Sequence, residues 1–94
     1  MDKPEFRQFE IILKGRVQGV GLRAAARSQA RMLRLHGWIE NLPDGSVRAV
    51  FNGESEKCMQ FINWCRQGNG FSWVDHMDIN EMEPLPLDPF HINY

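Results

Sequence analysis

The residues best suited to chemistry stand together in one run, Gly15-Arg16-Val17-Gln18-Gly19-Val20-Gly21-Leu22-Arg23. Three glycines fall within seven residues, after the alternating segment Phe9-Glu10-Ile11-Ile12-Leu13 and before a helical pattern. Glycine permits φ > 0, so the backbone can curl and turn successive N–H groups into one concavity. A helix N-terminus adds further uncommitted N–H groups and a partial positive charge. Arg23, in the first helical turn, is at the wrong end for a cation unless an anion lies between it and the loop. Strand, glycine loop, helix start and arginine together read as a site for a phosphate-sized anion. The competing explanation is a Gly-rich strand-to-helix turn with no ligand.

Other chemistries fit less well. A nucleotide-triphosphate loop needs Gly-x-x-x-x-Gly-Lys-Ser/Thr, and no such pair follows these glycines. A dinucleotide fingerprint needs Gly-x-Gly-x-x-Gly and a longer, doubly wound chain; only Gly19 and Gly21 have even the first spacing. His36, His76 and His91 fall in three separate elements, without metal-ligand spacing, so no metal is expected. Asp75-His76 resembles half of a charge relay but has no placed nucleophile, and a strand edge explains it as well. Cys58 and Cys65 are two helical turns apart, about 10.5 Å, too far for a disulfide. They read as buried apolar residues of a cytoplasmic protein.

The elements that must position this run are short and regular. With 94 residues, the chain is expected to form one domain, residues 1–94. Phe9, Ile11 and Leu13 alternate as a first strand near 7–14. Leu22, Ala26, Ala30 and Leu33 make an apolar stripe on a helix over 22–33. Trp38 to Asn41 is a short second strand, and Asp44-Gly45 a hairpin turn with Pro43 before it. Val47, Ala49 and Phe51 alternate as the third strand. Ser55 is placed to cap a second helix, with Cys58, Phe61, Ile62 and Cys65 inward and Gly68 as its stop. Phe71 to Met82 forms a fourth strand, but Val74 is out of phase with Met77 and Ile79, so a bulge is expected near Asp75-His76. Phe90, Ile92 and Tyr94 end the chain as a short strand after a proline-interrupted loop, Glu83 to Pro89. The order is an α+β, ferredoxin-like split βαβ sandwich (βαββαβ), an antiparallel sheet with two helices on one face.

Charge is unevenly spread. The formal net charge is −1, yet Lys14 to Arg34 carries six Lys/Arg and no acid, while Gln67 onward carries five acids and no Lys or Arg. The basic segment coincides with the glycine loop, which favours anions there. Arg23, Arg27 and Arg31 follow i, i+4, i+8; Arg27 and Arg31 read as a solvated helix face. Met1-Asp2-Lys3-Pro4-Glu5 has no apolar signal core, and no run is long enough to cross a membrane.

These residues carry a family resemblance. The run Gly15–Arg23 resembles the acylphosphatase pattern G-R-V-Q-G-V-x-F-R. Gly37-Trp38-Ile39-Glu40-Asn41-Leu42-Pro43-Asp44-Gly45-Ser46-Val47 resembles the second block of that family, G-W-V-x-N-x-x-D-G-x-V, and Phe90-His91-Ile92-Asn93-Tyr94 is similar to its final strand. The resemblance implies a small, cytosolic, cofactor-independent hydrolase that converts acyl phosphates to carboxylate and inorganic phosphate. It places the phosphate-holding arginine on Arg23, the water-positioning asparagine on Asn41, and the anion cradle on the backbone of Val17, Gln18, Gly19 and Val20. The chemistry agrees: an arginine forks two donors onto a phosphoryl group, and loop N–H groups stabilise its equatorial oxygens. Asn41 could equally be a hairpin residue that satisfies the Asp44-Gly45 turn.

Four positions depart from the family pattern. Leu22 replaces its usual Phe, Arg34 a Gly after the first helix, Arg48 a Glu after the hairpin valine, and Gln67-Gly68-Asn69-Gly70-Phe71 a Gly-Pro-rich segment. They bear on rate and substrate preference. The rival reading is a non-catalytic anion-binding module, or a piece of the larger hydrogenase-maturation proteins that contain such domains; the chain is expected to be complete without the cysteine pairs of the latter. Val47-Arg48-Ala49-Val50-Phe51 lacks the aromatic pattern of an RNA-binding sheet. The expected partners are therefore a small acyl phosphate and inorganic phosphate, with no nucleic acid or membrane, for a monomer.

Overall fold

The alternation of Phe9, Ile11 and Leu13 becomes strand β1 (Phe6–Arg16) in the computed structural model, which describes residues 5–94. Residues 1–4, read above as carrying no signal core, lie outside the described residues. The elements that follow are α1 (Leu22–Met32), β2 (His36–Asn41), β3 (Val47–Glu54), α2 (Ser55–Gln67), β4 (Trp73–Met82) and β5 (His91–Asn93). Across the sheet the order is β4-β1-β3-β2-β5. Pairings β1–β3, β1–β4 and β2–β3 are antiparallel, as the ferredoxin-like reading requires. The last strand makes the sheet mixed, because β5 lies parallel to β2. Its direction follows from the chain path. β4 ends beside Gln8, and a strap over residues 83–90 carries the chain along that end of the sheet to where β2 begins.

One face of the sheet is covered by both helices. Leu22, Ala26 and Ala30 are buried on α1, and the two small alanines let it approach the sheet closely. Cys58, Phe61, Ile62 and Cys65 are the buried stripe of α2. Phe61 centres the core, edge-on to Phe51 at 4.8 Å and to Phe90 at 5.6 Å, favourable geometries for aromatic pairs. Burial pushes the Cys58 thiol up to about 11 and the Cys65 thiol higher still, so both are neutral core side chains.

The bulge forms where expected. Lys14 pairs with His76 and Gly15 with Val74, which leaves Asp75 as the extra residue. Gly15 sits at that crossing with φ 131°, and a Cβ there would lie 2.3 Å from the Trp73 carbonyl oxygen. The first glycine of the motif therefore serves the sheet.

The helix ends differ from the sequence reading at one point. Ser55 is the first residue of α2 and does not cap it; Glu54 occupies the cap position, and the Ser55 hydroxyl accepts from Arg7 Nη1 at 3.1 Å. Gly68 ends α2 as expected, with φ 80°. At the end of α1, the Arg34 N–H donates to the Arg31 carbonyl (3.0 Å) and the Leu35 N–H to the Ala30 carbonyl (2.9 Å). That pair of bonds is a Schellman motif, which needs a left-handed residue. Arg34 supplies it at φ 59°.

Candidate active site

Each element ends where the loop needs it. β1 delivers the chain to residue 16, and α1 starts at Leu22 from Gly21, whose left-handed φ of 74° is shared by Gly19. A side chain at either position would strain the backbone. Among the described residues no side chain caps α1, and its first turn holds no acid. Among the described residues, the N–H groups of Gln18, Gly19, Val20 and Gly21 donate to no protein acceptor, leaving a run of backbone donors beside a helix N-terminus. Such a run is an anion-binding arrangement.

A cavity of about 150 Å³ adjoins this loop at two of the four, Gly19 and Gly21, and is lined by Val17, Gly19, Gly21, Leu22, Arg23, Ala24, Ile92 and Tyr94. Three of the six expected site residues, Val17, Gly19 and Arg23, thus share one cavity. Among the described residues Arg23 has no carboxylate partner, and its guanidinium carbon lies 5.5 Å from the centre of the Tyr94 ring. Leu22, the departure from the aromatic of the family, is buried under the loop.

The other three expected residues, Gln18, Val20 and Asn41, do not line this cavity. The Gln18 side chain leaves the loop and donates through Nε2 to the carbonyls of Leu42 and Ser46, both at 2.8 Å. This link ties the loop to the β2–β3 hairpin. Asn41, the last residue of β2, is exposed one position before Leu42 and does not itself line the cavity. Its competing role in the turn is already taken. Asp44 Oδ1 accepts both the N–H and the hydroxyl of Ser46, which also holds the Asp44 carboxyl below its ordinary range. The Asn41 carboxamide makes no hydrogen bond among the described residues. Val20 is held from outside, its carbonyl accepting from Asn69 Nδ2 at 2.8 Å.

Three participants here were not anticipated. Gln18 was singled out for its backbone, Asn69 only as part of a departure, and Tyr94 only as a strand residue. A carboxamide next to a glycine in a loop is the sequence signal for the first two, since such side chains commonly bond nearby backbone; Tyr94 left none.

The remaining titratable candidates lie elsewhere. His76 bonds Asp78 at 2.8 Å, while Asp75 accepts the Trp73 indole N–H at 2.8 Å, so the Asp75-His76 relay does not form. His36 is at the opposite end of β2 from Asn41, and His91 faces the Pro89 carbonyl. Arg31, read as solvated, donates from Nε to the Phe90 carbonyl at 2.9 Å and fastens the start of β5. Arg48 finds Glu10 at 2.8 Å and lies over the Trp38 ring, which accommodates that departure.

The fold and site together define an α+β sandwich in which a double-glycine loop, a helix start with no side-chain cap among the described residues, and Arg23 stand together at one small cavity. The family model for Acylphosphatase matches residues 9–92. An acylphosphatase of Petrotoga mobilis (strain DSM 10674 / SJ95) is 48% identical over 86 residues, covering 88% of this chain and 93% of that protein. One from Syntrophus aciditrophicus (strain SB) is 40% identical over 89 residues, 94% and 93% of the two chains. The crystal structure of acylphosphatase from Bacillus subtilis superposes with a TM-score of 0.90 at 34% identity, over 94% of this chain and 99% of that one. The chain belongs to the acylphosphatase family.

Proposed function

We propose that Arg23 and the backbone of Val17, Gln18, Gly19 and Val20 hold the phosphoryl group of an acyl phosphate while Asn41 orients the attacking water. At the level of the family, the activity is hydrolysis of acyl phosphates to carboxylate and inorganic phosphate. The assignment of roles rests on one observation: uncommitted loop residues Gly19 and Gly21 and an Arg23 with no carboxylate partner among the described residues line the same small cavity. In the reaction, water attacks phosphorus in line, the P–O bond to the acyl oxygen breaks, and the carboxylate leaves. The proton of the water passes to a phosphoryl oxygen. Loop N–H groups and the guanidinium meet the charge on the equatorial oxygens, which is most of what phosphoryl transfer asks of a protein. We place this activity in the cytoplasm, in a monomer whose 94 residues act as one domain.

Turnover of benzoyl phosphate by the purified protein separates this reading from a silent anion-binding module. Inorganic phosphate should compete and shift the amide resonances of residues 17–20. With Asn41→Ala, kcat should fall about 100-fold or more while the phosphate inhibition constant stays within about twofold, because only transition-state geometry is lost. A parallel loss of phosphate binding would make Asn41 a structural residue. The rate should also stay level across the ordinary histidine pKa of about 6.5, since no imidazole serves as base.

A further inference from the structure

The cavity at Arg23 is phosphate-sized, so the acyl part of a substrate must lie outside it. Two larger spaces adjoin the loop. One, of about 240 Å³, is lined by Lys14, Gly15, Asp44, Gly45 and Ser46. Its charged lining residues are a cation and an anion, Lys14 and Asp44, so a departing carboxylate meets no net attraction there. The other is a groove of about 550 Å³ between Arg16, Gly19, Val20, Gly70 and Phe71. Gly19 lines both this groove and the phosphate cavity, so the two spaces adjoin at that residue. Its charged lining residue is a cation, Arg16.

Phe71 is the distinctive wall of that groove. The residue is 75% exposed, although its backbone is fastened. Asn69 Oδ1 accepts the Phe71 N–H at 3.1 Å and the Ser72 N–H at 3.0 Å. The same Asn69 carboxamide donates to the Val20 carbonyl at 2.8 Å. One side chain therefore sets the distance between the phosphate loop and the aromatic ring. An exposed ring on a pinned loop, lining a groove next to the phosphate cavity, is an arrangement that stacks on a flat partner. The ring stands in the segment where this chain departs from the family pattern.

We propose that the groove between Arg16, Gly19, Val20, Gly70 and Phe71 is the acyl-group subsite and that Phe71 selects acyl phosphates with planar aromatic acyl groups. This rests on the phosphate-site reading above. Arg16 then faces the carboxylate end of the leaving group, and Asn69 is a positioning residue that keeps ring and cradle in register.

The test uses two non-hydrolysable phosphonates, phenacylphosphonate and acetonylphosphonate, which differ only in the aromatic ring. Both should shift the amides of Gln18, Gly19 and Val20. Only the phenacyl compound should also shift Gly70 and Phe71, and it should bind roughly three- to tenfold more tightly, the worth of one aromatic pair. Phe71→Ala should remove that preference and leave acetonylphosphonate affinity within about twofold; Phe71→Trp should keep it. In turnover, Phe71→Ala should lower kcat/KM for benzoyl phosphate by the same factor and spare acetyl phosphate. Shifts at 18–20 without shifts at 70–71, or a preference that survives Phe71→Ala, overturn the subsite and leave the phosphate site standing. Silence at 18–20 with both compounds defeats the phosphate site and the subsite with it.

Discussion

At the strap end of the sheet, Gln8 and Asn52 satisfy both backbone groups of Leu85. The Leu85 N–H donates to Gln8 Oε1 at 2.8 Å, and Asn52 Nδ2 donates to the Leu85 carbonyl at 2.7 Å and to Gln8 Oε1 at 3.1 Å. At the loop end, the carboxamides of Gln18 and Asn69 meet the loop and hairpin only at carbonyls, those of Leu42, Ser46 and Val20. The arginines divide in the same way. Arg7 spends its fork on both oxygens of Glu81, whereas Arg23 has only an aromatic neighbour among the described residues. One end of the molecule is closed as a structure, with donors and acceptors matched. The other is fixed through its carbonyls, so that backbone N–H groups and a guanidinium stay available. Rigidity at both ends costs nothing in binding capacity, because the clamps at the loop use up acceptors and an anion needs donors.

The contrast between the two arginines carries the largest expected effect. Arg23→Lys keeps the charge and loses the planar fork. It should remove about 2–4 kcal/mol of transition-state stabilisation, seen as a fall in kcat/KM of some 30- to 1000-fold with weaker phosphate inhibition. The same exchange at position 7 should leave kcat/KM unchanged, because that fork faces Glu81 at a solvent-exposed pair. Equal kinetic losses at both positions would erase the distinction between a spent and an available guanidinium.

A second effect, of intermediate size, reads the carboxamides. Asn52 is 2% exposed, and its removal takes the side-chain donor from the Leu85 carbonyl and one of the two donors from Gln8 Oε1. Asn52→Ala should therefore lower unfolding free energy by about 1–3 kcal/mol in denaturant titration, with kcat/KM per folded molecule unaltered. Asn69→Ala should show the reverse weighting, with a smaller loss of stability and a clear loss of phosphate affinity as Val20 is released. If Asn52→Ala impairs catalysis as strongly as Asn69→Ala, the two ends are not independent.

Much of this is legible in the sequence. Periodicity located every element, since Phe9, Ile11 and Leu13 or Leu22, Ala26 and Ala30 report local geometry directly. The out-of-phase Val74 located the bulge, because a period of two cannot absorb an extra residue. The loop glycines and Arg23 were legible for the same reason: they are contiguous and locally determined. What was missed is long-range and polar. Gln8 and Leu85 are 77 positions apart, and Gln18 and Ser46 are 28 apart. An amide looks the same in sequence whether it meets water or a carbonyl brought in by the fold. Ser55 was misread for a related reason. Its hydroxyl is an adequate cap, but Arg7 arrives from another strand to claim it. The parallel direction of β5 depended on the strap, whose path no periodicity encodes.

The smallest effect concerns the far end of α1, where the comparison can be sharpened without touching the site. Arg34 lies past the C-terminus of a helix whose first turn holds Arg23, about 16 Å away along the axis at 1.5 Å per residue. Its φ of 59° is the only positive value at a non-glycine among the described residues. A left-handed conformation costs an L-residue roughly 1–2 kcal/mol. Glycine escapes that cost but gives back about 0.5–1 kcal/mol through its freer unfolded chain. Arg34→Gly should therefore raise unfolding free energy by about 0.5–1 kcal/mol, with the Ala30 and Arg31 carbonyls still satisfied through the backbone. Arg34→Ala is the necessary partner, since it removes the charge and the long side chain but keeps the Cβ. It should bring none of that gain. Should Ala stabilise as much as Gly, the cost at position 34 is electrostatic, arising beside Lys57 across the neighbouring cleft, and backbone strain is not its source. In either case kcat/KM for benzoyl phosphate should not move, because the strain lies at the end of the helix away from Arg23.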